Sequence, residues 1–422
     1  MLAIRGRSIL DNNGIPTFEV EIKTRDGTFK SSVPNQGGKT NIYDGRKIED
    51  FLKKLNEKIG PALIRKKFEL GDQRGLDEFL SMEIHPKNFR GCDCPNGIMA
   101  ISQAFLKASA FAQSLTVAEY LANIASITHY RLPVPYIEIF SRETLDTDEV
   151  GIHAIYLIPN KLDSFIQSMW VCSEVVKKMK AILVSRYGPA FSLVNETGSF
   201  MPNSMSLEEA LNLINEAVQK SGQCGKIKIG FDVKADDFLL PNGRYDFNKK
   251  LSKGDSRQTF TSEKLMKVFL RIREKYPVTS LEDPFSQSDC GSWLELQETK
   301  KFSIIATKQL EHGSYEKLNK MINKKLCSLV GLKIAWFKTI TDLIDYNREC
   351  LKANLKTVFI VERSDTEEDI ISDLAIGLQC SHVKFGGLMR TEKNMKYNRL
   401  MELEKALNGS PSFHRIKECI EI

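Results

Sequence analysis

The chain has 422 residues, 42% of them hydrophobic and 27% charged, with 60 lysines and arginines against 54 acids. That length allows two or three domains, or one large barrel plus a smaller domain. The net charge of +6 is spread without a long basic block, which argues against a nucleic-acid binder, and no apolar run approaches the roughly 18–20 residues of a membrane span.

The apolar part of "MLAIRGRSIL" is too short for a signal peptide and lacks a cleavage pattern. The nine cysteines are odd in number and scattered, which reads as a reduced, cytoplasmic chain. Cys92 and Cys94 form the one close pair, without a second pair or a histidine at ligand spacing. The Lys-rich tracts at 65–67, 248–250 and 323–325 read as solvated surface.

In chain order, "TFEVEIKT" (17–24) alternates, "RDG" turns, and "TFKSSV" (28–33) returns, which predicts an antiparallel sheet. "VPNQGGKTNIYDG" (33–45) is a loop. Helices are predicted at about 46–59 and 97–126. The prolines of "RLPVP" (131–135) suit a domain linker. From about 225 the chain alternates: strands at 226–233, 278–283, 302–307, 328–336, 356–362 and 381–387, with helices such as 262–276 and 341–355 between them. Such alternation predicts a parallel sheet, and six or more units favour a closed βα barrel.

Sites in such barrels lie at the C-terminal strand ends. The polar residues there are Asp232, Glu282, Thr307, Lys333, Glu362, Arg363 and Lys384. "VTSLEDPFSQ" (278–287) poses the chemical question most sharply. Its apolar strand ends in Glu282 and Asp283, and a buried acid is costly unless a cation answers it. Several acids and lysines converging on one barrel mouth point to a present or former active site.

With these motifs in order, the sequence resembles the enolase family over nearly its whole length. "RSILDNNGIPTFEVEI" (7–22), "LPVP" (132–135), "IGFDV" (229–233), "SLEDPF" (280–285), "GLKIAW" (331–336), "VERSDTEEDIISDLAIGL" (361–378) and "VKFGGLMRTEKNMKYNRLMELEKAL" (383–407) carry the resemblance. It implies an N-terminal α+β domain over 1–130 and a βα (TIM-like) barrel over 131–422. It also implies the family's dehydration of 2-phosphoglycerate to phosphoenolpyruvate, in which a lysine takes a proton, two magnesium ions stabilise the carboxylate dianion, and a carboxylic acid assists the leaving hydroxide.

By that resemblance Asp232 and Glu282 match two of three metal carboxylates, and Lys333 matches the base. Lys384 matches the second lysine, which holds the substrate carboxylate, and Arg363 and Ser364 match the phosphate-binding pair. The departures are severe. Thr307 stands at the third metal carboxylate. Thr197 stands at the acid, with Glu196 one residue earlier as a possible substitute. Glu362 replaces a histidine, Leu145 takes a lid histidine's place, and Ala154 replaces a glutamate. "NQGGKTN" (35–41) has no serine for the second metal.

Losing a positioned general acid costs about 10²–10⁴-fold in rate, and magnesium prefers oxygen anions in near-octahedral geometry. The expectation is a degraded site in which Lys333, Lys384 and Lys308 replace metal as counter-ions, in a structural or assembly protein. The alternative is an active, magnesium-dependent phosphopyruvate hydratase of glycolysis with an altered site. Gly-Gly-Leu in "KFGGLMRTEK" (384–393) resembles enolase-like relatives of cilia and sperm flagella. The resemblance also implies a twofold dimer in which Glu19 pairs with an arginine of the other copy. Glu402 occupies that arginine's position, with Arg399 and Lys405 nearby to repair the pair. The expected partner is therefore a weakened homodimer or another protein of an assembly, without nucleic acid or membrane.

Overall fold

The computed structural model describes residues 1–34, 45–83, 95–141, 151–201, 205–247, 259–408 and 413–414. Leu145 and the stretches 35–41, 92–94 and 248–250 lie outside them.

The chain opens with an antiparallel sheet of β1 (Ala3–Leu10), β2 (Pro16–Lys23) and β3 (Thr28–Ser32) in that order. The two-residue period of a strand puts Phe18, Val20 and Ile22 of β2 on one buried face. Against the sheet pack α1 (Gly45–Lys54), α2 (Gly60–Lys66) and α4 (Pro95–Ala112); α3 (Gln73–Glu83) packs on α4, and α5 (Val117–Ala125) follows. The helix expected at 46–59 exists but runs through a π turn, Leu55–Ile59, into α2. Pro61 has no N–H to give to that turn. The single helix expected at 97–126 is two. Thr116 caps α5, accepting from Glu119 N at 3.2 Å while the Glu119 carboxylate accepts from Thr116 N at 3.0 Å. This reciprocal cap stops one helix and starts the next.

β4 (Tyr130–Arg131) pairs with β13 (Phe413–His414). The barrel then begins with β5 (Val134–Ser141) and β6 (Ala154–Pro159), followed by α6 (Phe165–Tyr187) and α7 (Leu207–Lys220). Regular alternation takes over: β7 (Ile227–Asp232), α8 (Ser262–Lys275), β8 (Val278–Glu282), α9 (Cys290–Glu298), β9 (Ser303–Ala306), α10 (Tyr315–Lys324), β10 (Leu329–Leu332), α11 (Ile340–Lys352), β11 (Lys356–Ile360), α12 (Ile370–Gly377), β12 (His382–Gly386) and α13 (Thr391–Leu407). Eight strands close in the order β10-β11-β12-β5-β6-β7-β8-β9.

Three expectations are corrected. The sheet is not wholly parallel, because β6 runs antiparallel to β5 and to β7. Both early strands are buried along their whole length, so neither shows the alternation that marks a strand. The prolines expected in a linker instead lead into the barrel, with Pro135 second in β5, where a missing N–H is tolerated. The strand expected at 328–336 ends at Leu332, and Ile334–Trp336 form a 3₁₀ turn. Among the described residues no helix is long and apolar enough to cross a membrane.

Candidate functional site

The C-terminal ends of the parallel strands surround a cavity of about 240 Å³. Asp232 and Glu282 are register partners on adjacent strands β7 and β8, so both carboxylates enter the barrel side by side. Lys384 arrives from β12 and lies between them. Its ammonium is hydrogen-bonded to Glu282, lies 3.7 Å from Asp232, and sits over the Tyr156 ring at 4.4 Å. All three charged side chains are nearly inaccessible, at 3–6%. Burial opposes the lysine's charge, yet Glu282 and Asp232 outweigh it and raise the Lys384 pKa.

Lys333 and Lys308 do not join this cluster, contrary to expectation. Lys333 Nζ lies 2.9 Å from Glu362, and Lys308 bonds Asp237. Each takes the acid nearer the rim, where less of its own hydration is lost. Asp283 faces the other way from Glu282. Its φ of 45° turns the carboxylate onto the backbone, where it accepts from Thr307 N and Lys308 N, each at 2.9 Å. Burial, then the charges of Glu282 and Asp232, push the Asp283 pKa up to about 8.

The stretch expected to hold the acid, 196–197, borders the same cavity. Residues 196–197 form a turn, so the opposed directions of an extended pair arise here from a turn. Thr197 lines the cavity and donates to Glu138 at 2.7 Å. Glu196 reaches the rim instead and pairs with Arg363 at 3.1 Å. The turn sits on Gly386 and Gly387, with Gly387 N donating to Thr197 O at 2.8 Å. A Cβ on Gly387 would fall 2.2 Å from Gly198 O, so the Gly-Gly pair is what lets the two loops touch. Ser364 is half-buried and not among the residues lining the cavity; Arg363, its neighbour, is.

Sequence reasoning passed over several members of the site, among them Glu138 and His153. Glu138 is a buried acid in β5 and accepts from Thr197 and Ser199. A lone acid within the apolar run "VPYIEIFS" was the available signal. His153 precedes β6, with Nε2 3.0 Å from Lys234 Nζ and 3.4 Å from Arg363, and Nδ1 3.8 Å from Asp232. Burial, then Lys234 and Arg363, hold its pKa well below the usual range. A neutral ring accepting at Nε2 carries its proton on Nδ1, toward Asp232.

Whether this site fits magnesium turns on its donors. Thr307 offers a neutral hydroxyl, left without a partner, where a third carboxylate is needed. An ammonium already bridges the two remaining acids, and Asp283 is engaged by backbone N–H groups. Among the described residues no three His, Cys, Asp or Glu are arranged to hold a metal ion. The residues present do not fit a hard divalent cation that favours several anionic oxygens.

Comparison with known families gives two matches. The family model described as "Enolase, N-terminal domain" covers residues 1–121, and that described as "Enolase, C-terminal TIM barrel domain" covers residues 129–421.

Proposed function

Because the chain belongs to the enolase family, whose members generally use magnesium, we propose that it is an enolase-fold protein without efficient phosphopyruvate hydratase activity, serving as a structural or assembly component. One observation carries this reading: the Lys384 ammonium occupies the space between Asp232 and Glu282. With Thr307 beside them, the acids are answered by a lysine. Glu362 adds a negative charge beside Lys333, the residue at the base position, and opposes an anionic substrate there. Arg363, at the phosphate-binding position, is engaged by Glu196.

Turnover of 2-phosphoglycerate by purified protein in millimolar magnesium, beside an ordinary enolase, tests the proposal. The expected rate is at least about 10²-fold below the ordinary enzyme, the lower bound for a lost general acid. A turnover number within the usual range of about 1–10³ s⁻¹ overturns it.

A second reading, retained lyase activity, draws support from Glu138. Its carboxylate accepts from Thr197 at 2.7 Å and so brings a carboxyl group to the acid position from another strand. On that reading Glu138→Gln abolishes turnover and Glu196→Gln does not. The cytoplasm is the proposed setting, and the Gly-Gly-Leu run at 386–388 supports a ciliary or flagellar assembly within it.

A further inference from the structure

The face opposite the cavity has a different electrostatic character. There the helices hand over to the next parallel strands. The connections before β7, β8, β9, β10 and β11, each with two flanking residues, hold ten lysines and two glutamates. That net of +8 exceeds the +6 of the whole chain. These five strands are consecutive neighbours in the closed barrel, so their connections form one continuous arc.

Some of this charge is local housekeeping. Lys220 pairs with Glu216, Lys275 with Glu208 and Lys352 with Glu349, and cations near helix C-termini favour the helix dipole. Six others are exposed: Lys226, Lys300, Lys301, Lys324, Lys325 and Lys356. Among the described residues none of the six has a carboxylate within 4.0 Å. Lys226, Lys301 and Lys356 also lie beyond the caps of the helices they follow, so helix stability does not account for them. Like charges within one Debye length, about 8–10 Å, repel, and the two glutamates of these connections offset only a small part of that cost.

We propose that this arc is a docking surface for an acidic polypeptide segment. Neighbouring strands stand about 4.7–4.9 Å apart, so five adjoining connections gather these lysines into one arc, and a segment rich in carboxylates complements it in charge. The chemistry of the arc disfavours nucleic acid. Its cations are all lysines, point charges without the bidentate fork that suits phosphate. Arg273, beside the arc, is committed to the Val278 carbonyl at 2.7 Å and the Phe302 ring. Tyr276 and Phe302 are buried, so the connections present no base-stacking platform. No large apolar side chain is exposed in these connections, which removes the insertion that membrane binding needs.

The surface lies opposite the cavity, so it is independent of whether the cavity turns over substrate. The test is fluorescence anisotropy of the full chain with a labelled oligoglutamate of about ten residues at roughly 50 mM salt. Saturable binding is expected, weakened at least tenfold at about 200 mM salt and at least tenfold by the variant K300E/K301E/K324E/K325E. K177E/K180E, on the exposed face of α6, and Lys333→Ala, in the cavity, are expected to bind like the wild type. Circular dichroism melts establish that each variant is folded. Unchanged binding by the quadruple variant, equal loss in K177E/K180E, or loss in Lys333→Ala overturns the proposal. So does tighter arc-dependent binding of a length-matched oligouridylate or of phosphatidylserine vesicles.

Discussion

Two buried acidic positions in this molecule are stabilised by opposite means. At the barrel mouth, Asp232 and Glu282 share a full positive charge, Lys384. At the seam between the N-terminal helices and the barrel, Asp77 of α3 is held by neutral donors alone. It accepts from Thr341 N at 2.9 Å, from the Thr341 hydroxyl at 2.7 Å and from the Ser102 hydroxyl at 2.6 Å. Ser102 in turn accepts from Ile340 N at 3.0 Å. Asp77 and Ser102 thus cap the first turn of α11 from the other side of the seam. Burial pushes the Asp77 pKa up to about 6 despite these bonds. A charge partner fixes an acid's ionisation but makes each partner depend on the other. Dipole partners leave the acid titratable and spread the dependence over several groups.

The largest expected effect comes from removing the cation at the mouth. Lys384→Met strands two buried acids, and breaking such a cluster costs about 3–5 kcal/mol, read as a shift in the urea midpoint. The triple variant K384M/D232N/E282Q is expected to recover much of that loss. If Lys384→Met is nearly neutral, the acids are not held by Lys384.

Asp77→Asn sharpens the comparison through pH. The folded pKa of about 6 lies above the unfolded value of about 3.9. The stability from proton uptake is therefore complete below about pH 4 and is lost as pH rises through 6. The wild type should gain roughly 2–3 kcal/mol on the asparagine variant between pH 7.5 and pH 4. Urea midpoints of both proteins across that window check it, and parallel profiles would remove the titration at Asp77.

Metal binding probes the mouth more gently. Magnesium at millimolar concentration should leave the wild-type Tm nearly unchanged. Thr307→Asp supplies a third carboxylate and should give a magnesium-dependent rise, about 1.4 kcal/mol when magnesium reaches ten times Kd. A large wild-type shift abolished by Glu282→Gln would identify a working metal site and break the contrast with Asp77.

The smallest effect concerns self-association. Within one chain Glu19 lies 2.7 Å from Arg7, and Arg399 lies 3.0 Å from Glu402 while holding Asp373 at 2.8 Å. Each of the two acids expected to oppose each other in a dimer thus has a cation of its own. Glu402→Arg should strengthen association only a few-fold in sedimentation equilibrium at low salt, an exposed pair being worth about 0.2–1 kcal/mol. A gain of a hundredfold would restore the like-charge argument in full.

Much of this molecule is written in local pattern. The alternation of "TFEVEIKT" and the strand–helix rhythm after residue 225 announce the small sheet and most of the barrel, because period 2 and period 3.6 depend only on near neighbours. The ordered motifs identify the family, and the resemblance is what sets threonine at 197 and 307 against expected carboxyl groups. Pairing was legible only in part: Lys384 was expected among three lysines answering Asp232 and Glu282, but nothing local singled it out from Lys333 and Lys308. That Lys384 answers residues 102 and 152 positions away, that Lys333 turns to Glu362, and that Glu138 enters from β5 follow from which strands adjoin in a closed barrel and how deeply each side chain is buried. The same closure gathers lysines scattered over 130 residues onto one face. Side-chain charge type is set by the chain; the partner that neutralises it, and the dielectric in which they meet, exist only once the strands close.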